Sequence, residues 1–289
     1  MNIINIRELN DERLSLYAKL SENQLRRYFE PEPGVFVAES PNVIERALNA
    51  GYEPLSFLVE TEAIDKEAGV ILEKVSKIYG KEKAEEIPVF AADFEVLKSL
   101  TGFPMVRGLL AVMRRKVLSD INIFCEGKKN IAVLYDIENP SNVGTIFRSA
   151  AALGIDGIIL TKGSSDPLYR RAARVSMGTV FQIPWTIHEP DKKSVNTDDR
   201  DGLMLKLADR GFVTAAMALS DNSVNITDEN FKNSEKKAII LGNEGKGLPE
   251  NVIRSCNNTL KIPMFHEVDS LNVGIAAAIV FWEINENKK

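Results

Sequence analysis

Ile131-Ala-Val-Leu-Tyr-Asp-Ile-Glu-Asn-Pro-Ser-Asn-Val-Gly-Thr-Ile-Phe-Arg148 is the stretch on which the fold turns. It opens with an unbroken apolar run, the pattern of a strand buried on both faces, and such strands belong to parallel sheets covered by helices. A polar turn follows, and Val143 to Leu153 then reads as a helix that stops at Gly154. A strand running through a Gly/Asn/Ser loop into a helix is one unit of an alternating α/β domain.

The alternation continues downstream. Gly157-Ile-Ile-Leu is the next strand, and Pro167 to Met177 a basic helix. Val180 to Ile187 reads as a strand interrupted near its end by Pro184, and a helix near Gly202–Arg210 leads into the strand from Phe212 to Leu219. Lys237-Ala-Ile-Ile-Leu, Leu260-Lys-Ile-Pro and a last helix from Leu271 to Ile284 complete the domain. The pattern predicts a mostly parallel sheet, with ligands bound at the carboxyl ends of its strands. Upstream, residues 1–118 alternate shorter elements. Strands are expected at Val35-Phe-Val-Ala, Leu55-Ser-Phe-Leu-Val, Pro88-Val-Phe-Ala and Gly108-Leu-Leu-Ala-Val-Met, and helices near Pro41–Ala50, Glu67–Tyr79 and Asp93–Leu100. Residues 119–129 are polar and read as a linker, so the division is 1–118, a linker at 119–129, and 130–289.

Composition narrows the function classes. With 44% hydrophobic and 27% charged residues the chain has the balance of a soluble globular protein. The net charge of −5 gives no global basic field, so any polyanion site must come from local clusters such as Arg114-Arg115-Lys116 and Arg170-Arg171…Arg174. Each cluster taken alone is also compatible with a solvated helix face. Two cysteines, Cys125 and Cys256, fit a reducing cytosol, and two histidines with no clustered Cys/His spacing argue against a metal site. The charged amino terminus is no signal peptide, and the apolar run Val273 to Trp282 is too short for a bilayer; a cytoplasmic location is expected, with no membrane association.

Three strands run directly into loops rich in Gly, Asn and Ser. In the first loop Asn142 stands at a helix start, where its side chain could cap free N–H groups, and Arg148 lies six residues on; a capped helix with a surface arginine explains both equally. The second is Leu241-Gly-Asn-Glu-Gly-Lys-Gly-Leu-Pro, whose glycines give a ligand close backbone approach or simply make a turn. It is neither a phosphate loop, since Lys246 precedes Gly247 rather than Ser or Thr, nor a dinucleotide fingerprint. The third is Ile262-Pro-Met-Phe-His-Glu-Val-Asp-Ser-Leu-Asn-Val-Gly, with Ser270 as the expected N-cap of an Ala-rich helix, which is otherwise a plain, tightly packed helix.

Together these segments, N-x-G-x-x-x-R, G-N-E-G-x-G and I-P-M…S-L-N-V in order over about half the chain, resemble the SpoU (TrmH-like) branch of the SPOUT RNA methyltransferases. Phe36-Val-Ala-Glu and Arg107-Gly-Leu-Leu-Ala-Val give a weaker similarity to that family's small α/β/α substrate-binding domain. The resemblance implies a knotted (trefoil) parallel-sheet catalytic domain, S-adenosylmethionine as cofactor, an rRNA or tRNA substrate methylated on a ribose 2′-hydroxyl, and a homodimer formed through the knotted region. It implies cofactor contacts at Leu241, Gly242, Gly245, Ile262, Met264 and Leu271, the last three apolar residues lining an adenine slot. It assigns catalytic roles to Arg148, Asn142, Glu244, Ser270 and Asn272: Arg148 at the reacting hydroxyl, Asn142 orienting the arginine or the ribose, Glu244 paired with a cation, Ser270 and Asn272 fixing loop and substrate. Arg170, Arg171 and Arg174, with Ser176, would meet RNA phosphates. Two positions depart from the family pattern, His266 where glycine is usual and Gly274 where Ser or Ala is common. The other readings are a non-catalytic RNA-binding or assembly protein retaining the fold, and a nucleotide-dependent α/β enzyme.

Overall fold

In the computed structural model the described residues are 2–8, 11–101, 108–189, 202–220, 222–266 and 268–285. They form two compact units, the first of Met1–Val117 with Leu168–Gln182, the second of Leu118–Pro167 with Ile183–Lys289. Arg107, quoted above in the amino-terminal match, lies outside the described residues.

The first unit is a five-stranded mixed sheet of β1 (Asn2–Asn5), β2 (Val35–Glu39), β3 (Pro54–Glu60), β4 (Pro88–Ala92) and β5 (Leu109–Arg114), in the order β1-β4-β3-β5-β2. Strands β1 and β3 run parallel to β4, whereas β5 is antiparallel to both β3 and β2. Leu14, Tyr17, Leu25, Val35, Val37, Leu58, Leu110 and Val112 are buried together. The buried Tyr17 and Ser56 hydroxyls lie 2.7 Å apart, so the polar groups in this core satisfy each other. Strand β1 has no periodicity to announce it; its existence rests on the backbone ladder to β4. The segment Leu168–Gln182 belongs to this unit, and its helix spans only Arg170–Val175, shorter than the spacing predicts.

The second unit holds β6 (Asn130–Leu134), β7 (Gly157–Thr161), β8 (Trp185–His188), β9 (Val213–Met217), β10 (Val224–Asn225), β11 (Lys237–Leu241) and β12 (Asn258–Lys261). Their order is β10-β12-β9-β11-β6-β7-β8, and every neighbouring pair is parallel. All five residues of β6, β7 and β11 are buried, in keeping with the apolar runs that make up most of each strand. The chain enters β11 between β9 and β6, then continues to β12 on the far side of β9. Its final helix, Val273–Asn285, packs on the helix that follows β6, Pro140–Ala152. The start of that helix thus lies on the β6 side of the sheet although β12 lies beyond β9.

Two sequence expectations change here. The strand expected over Val180–Ile187 is a 3-10 turn at Thr179–Phe181 followed by β8, which begins only after Pro184. Proline has no N–H for a ladder, and its carbonyl instead accepts from Ile158 N at 3.0 Å. Residues 119–129 are not a free linker. They carry the short helix Ile121–Phe124, capped by Asp120, and Ile121, Phe124 and Cys125 are buried among Ile131, Val133, Leu203 and Phe212. Burial also pushes the Cys125 thiol pKa up, despite nearby Arg210, Lys128 and Lys236.

Truncating Phe124 to Ala should therefore destabilise the chain by about 3–5 kcal/mol, as expected for a buried phenyl group. Urea denaturation of the variant measures this; a linker side chain would cost less than about 0.5 kcal/mol.

Candidate active site

The loop after β6 is braced from the side. Tyr135 N donates to the Leu241 carbonyl (2.8 Å), after which Asp136 takes a left-handed φ of 52°. That strained turn is held by Thr161 at the end of β7, whose hydroxyl donates to Asp136 Oδ1 (2.6 Å) and accepts from Asp136 N (2.8 Å). Gly163 makes room for it, since a Cβ there would lie 2.3 Å from Asp136 Oδ1. Ile137 N donates to Ser164 Oγ, and Ser165 Oγ to the Glu138 carbonyl.

The following helix is capped by Asn139, not Asn142. Asn139 Oδ1 accepts from Ser141 N (2.9 Å), and Pro140 occupies the first turn, where a missing N–H costs nothing. Asn142 sits inside the helix and is buried at 8% exposure. With the backbone donors already served, its amide is free to bond elsewhere, and it joins the other two motifs. Asn142 Nδ2 donates to Glu244 Oε1 at 2.8 Å, and Asn142 Oδ1 accepts from Asn272 Nδ2 at 3.0 Å.

The polarity of this chain of bonds is fixed at both ends. Asn272 Oδ1 must accept, because the Gly274 N–H points at it (3.0 Å); Asn272 Nδ2 therefore donates. At the far end Glu244 offers only acceptor oxygens, which also take Asn139 N at 3.3 Å. Asn142 between them has one orientation that satisfies both. Asn272, rather than Ser270, caps the last helix, since its carbonyl also accepts from Ala276 N. Glu244 is bound by amides and makes no ion pair among the described residues.

Asn243, between Gly242 and Glu244, is a residue to which sequence reading assigns no role. Its Oδ1 accepts from Gly245 N and Lys246 N, and its Nδ2 donates to the Asp136 carbonyl at 2.7 Å, shaping the β11 loop and tying it to the β6 loop. A Cβ on Gly242 would lie 2.7 Å from Gly247 C and Leu248 N, so that glycine lets the loop fold on itself. Gly245 is exposed, Gly242 half-buried, and Leu241 is buried with its carbonyl already committed to Tyr135.

The remaining residues fall in two groups. Ile262, Met264 and Leu271 are half-buried along the returning segment, and Ser270 is exposed. His266 keeps a left-handed φ of 57°, the backbone that glycine favours and that histidine tolerates better than most. Arg148 is exposed and makes no hydrogen bond or ion pair through its guanidinium among the described residues. Because the helix is regular, Arg148 stands about 9 Å along the axis from Asn142 and is not a partner of the amide chain. Arg170, Arg171 and Arg174 lie in the first unit; Arg170 and Arg174 both pair with Glu39, and Arg171 is exposed. Ser176 is fully buried, its hydroxyl donating to the Ala173 carbonyl, so it closes the helix instead of facing a ligand.

Gly274 has a steric reason. A Cβ there would lie 2.8 Å from Thr145 Cγ2, so Gly274→Ala should destabilise the chain by about 1–3 kcal/mol through overpacking. Adding Thr145→Ser removes that methyl and should restore part of the loss in thermal denaturation. Equal stability of all three proteins would show that the two helices do not approach this closely.

Residues 129–282 match the model of the SpoU rRNA methylase family. An uncharacterized tRNA/rRNA methyltransferase of Mycobacterium tuberculosis is 28% identical over 284 residues, covering 98% of this chain and 92% of that one. Among solved structures, an AdoMet-bound rRNA methyltransferase from Sinorhizobium meliloti superposes with a TM-score of 0.77 at 23% identity, covering 98% of each chain. A SpoU methyltransferase from Streptomyces viridochromogenes, in complex with AdoMet, superposes with a TM-score of 0.73 at 22% identity, covering 96% of this chain and 99% of that one. The two-unit fold is thus shared with these proteins over nearly the whole chain. With the family match covering more than half of its residues, the chain belongs to the SpoU rRNA methylase family.

Proposed function

We propose that this chain transfers a methyl group from S-adenosylmethionine to the ribose 2′-hydroxyl of a nucleotide in rRNA or tRNA, acting in the cytoplasm. One observation carries the reading: the Asn142 amide joins the three motif-bearing loops at the carboxyl edge of a parallel sheet, where α/β sheets bind ligands. The residues present fit the cofactor. Ile262, Met264 and Leu271 offer incompletely covered apolar surface for an adenine, and the glycine loop from Gly242 to Gly247 brings backbone groups beside it. When bound, the cofactor supplies an electrophilic methyl group on a sulfonium.

The chain's own part is to bind, orient and stabilise charge. A guanidinium offers five donors and no acceptor, so the role of Arg148 is to hold a neighbouring phosphate and stabilise the alkoxide that develops on the ribose oxygen. Asn142 has both ends of its amide engaged and acts by positioning Glu244 and Asn272. Ser270, exposed and uncommitted among the described residues, is available to the substrate. The last helix is apolar on all sides, yet Ile275 and Trp282 remain 52% and 50% exposed; in this reading a second copy of the chain covers them.

These roles are open to direct measurement. Wild-type protein with tritiated S-adenosylmethionine should label total RNA from cells lacking the gene at a ribose 2′-oxygen. Arg148→Ala should cut kcat by about 10²–10³-fold while leaving cofactor affinity within twofold; wild-type turnover in that variant, or no labelled RNA with the wild type, would overturn the assignment. Ile275→Glu with Trp282→Glu should sediment as a monomer where the wild type sediments as a dimer.

A further inference from the structure

The arginine-bearing helix Arg170–Val175 lies wholly within the first unit and is fixed there by side chains along its length. At its start Glu22 Oε1 accepts from Arg170 N (2.9 Å) and the Tyr169 hydroxyl donates to Asn23 (2.7 Å). At its end Arg46 Nη1 donates to the Met177 carbonyl (2.8 Å). In the middle stands Glu39, the last residue of β2, with a side chain only 2% exposed. Its two oxygens divide the work: Oε2 accepts from Arg170 Nη2 and Oε1 from Arg174 Nη1, each at 3.1 Å. Positions four apart share a helix face, so a single carboxylate reaches both guanidinium groups and offsets their mutual repulsion.

A carboxylate is costly to bury unless it is paired, so its presence here demands both arginines in one geometry. The consequence reaches solvent through Arg174, whose side chain is 42% exposed. Guanidinium carries five donors in a rigid fork, and a fork held at one edge presents the others in a fixed direction. We propose that Glu39 is a positioning residue, which holds Arg174, with Arg170, as a preorganised contact for an RNA phosphate. This rests on the RNA-methylation reading above and adds a residue that touches no RNA itself.

The test is a double-mutant cycle on the full chain, with tritiated S-adenosylmethionine and total RNA from cells lacking the gene. Arg174→Ala should raise the KM for RNA roughly tenfold, the worth of one charge-assisted hydrogen bond, and lower the salt dependence of binding by about one phosphate contact. Glu39→Gln should raise KM to a similar degree, with kcat within twofold, although it removes a negative charge. In that background Arg174→Ala should add less than twofold. If Glu39→Gln does not fold, Glu39→Asp, which keeps the charge but withdraws the carboxylate, should show the same direction with a smaller rise. Tighter RNA binding without the carboxylate would make Glu39 a repulsive charge, and an unchanged KM with a lowered Tm would make it a purely structural one; either overturns the positioning role, as do additive effects in the double variant. A wild-type KM in Arg174→Ala would remove the phosphate contact itself and the proposal with it, while leaving methyl transfer at the other unit's loops untouched.

Discussion

The buried side-chain amide of Asn142 is the constraint on which the site depends. It is held in a helix by ordinary backbone bonds, yet it donates to Glu244 and accepts from Asn272, residues 102 and 130 positions away in sequence. An amide has one donor end and one acceptor end, and here each faces a partner whose own polarity is fixed by something else. Swapping the ends, or losing either, would leave a buried polar group without its bond, at a cost of about 1–3 kcal/mol. The three loops are thereby locked in one arrangement before any ligand arrives, the kind of preorganisation that makes binding efficient.

The sheet makes this convergence possible. Inserting β11 between β9 and β6 puts its loop beside the one leaving β6, and sending the chain outward to β12 forces it to return across both. The close approach of the last helix to Thr145 at Gly274 completes that return. The departure from the family pattern at Gly274 thus coincides with a contact that has no room for a Cβ, and the departure at His266 keeps a backbone conformation suited to the usual glycine.

Much of this was legible in the sequence, for particular reasons. Buried parallel strands such as Ile131-Ala-Val-Leu are continuous apolar runs, so the α/β alternation of the second unit and its motif-bearing loops could be read directly. Position along a helix could not be read as well. Ser270 and Asn272, like Asn139 and Asn142, are interchangeable as caps by residue type, and only the path of the backbone decides which one caps and which is released for another bond. The apparent linker at 119–129 misled because its polar residues face solvent while Ile121, Phe124 and Cys125 face the core. Glu39 stands in the Phe36-Val-Ala-Glu similarity, but its role was hidden: a charged residue ending an apolar strand looks exposed until its two arginine partners, more than a hundred residues away, are brought to it.

In the proposed reading one amide assembles a cofactor site from three separated loops. Calorimetric titration of S-adenosylmethionine into the wild type and into Asn142→Leu, a substitution of similar volume without hydrogen bonds, addresses it most directly. Saturable binding is expected for the wild type, and an affinity weaker by roughly tenfold or more for the variant, with the fold retained. Equal affinity in the two proteins, or no binding by the wild type, would contradict it.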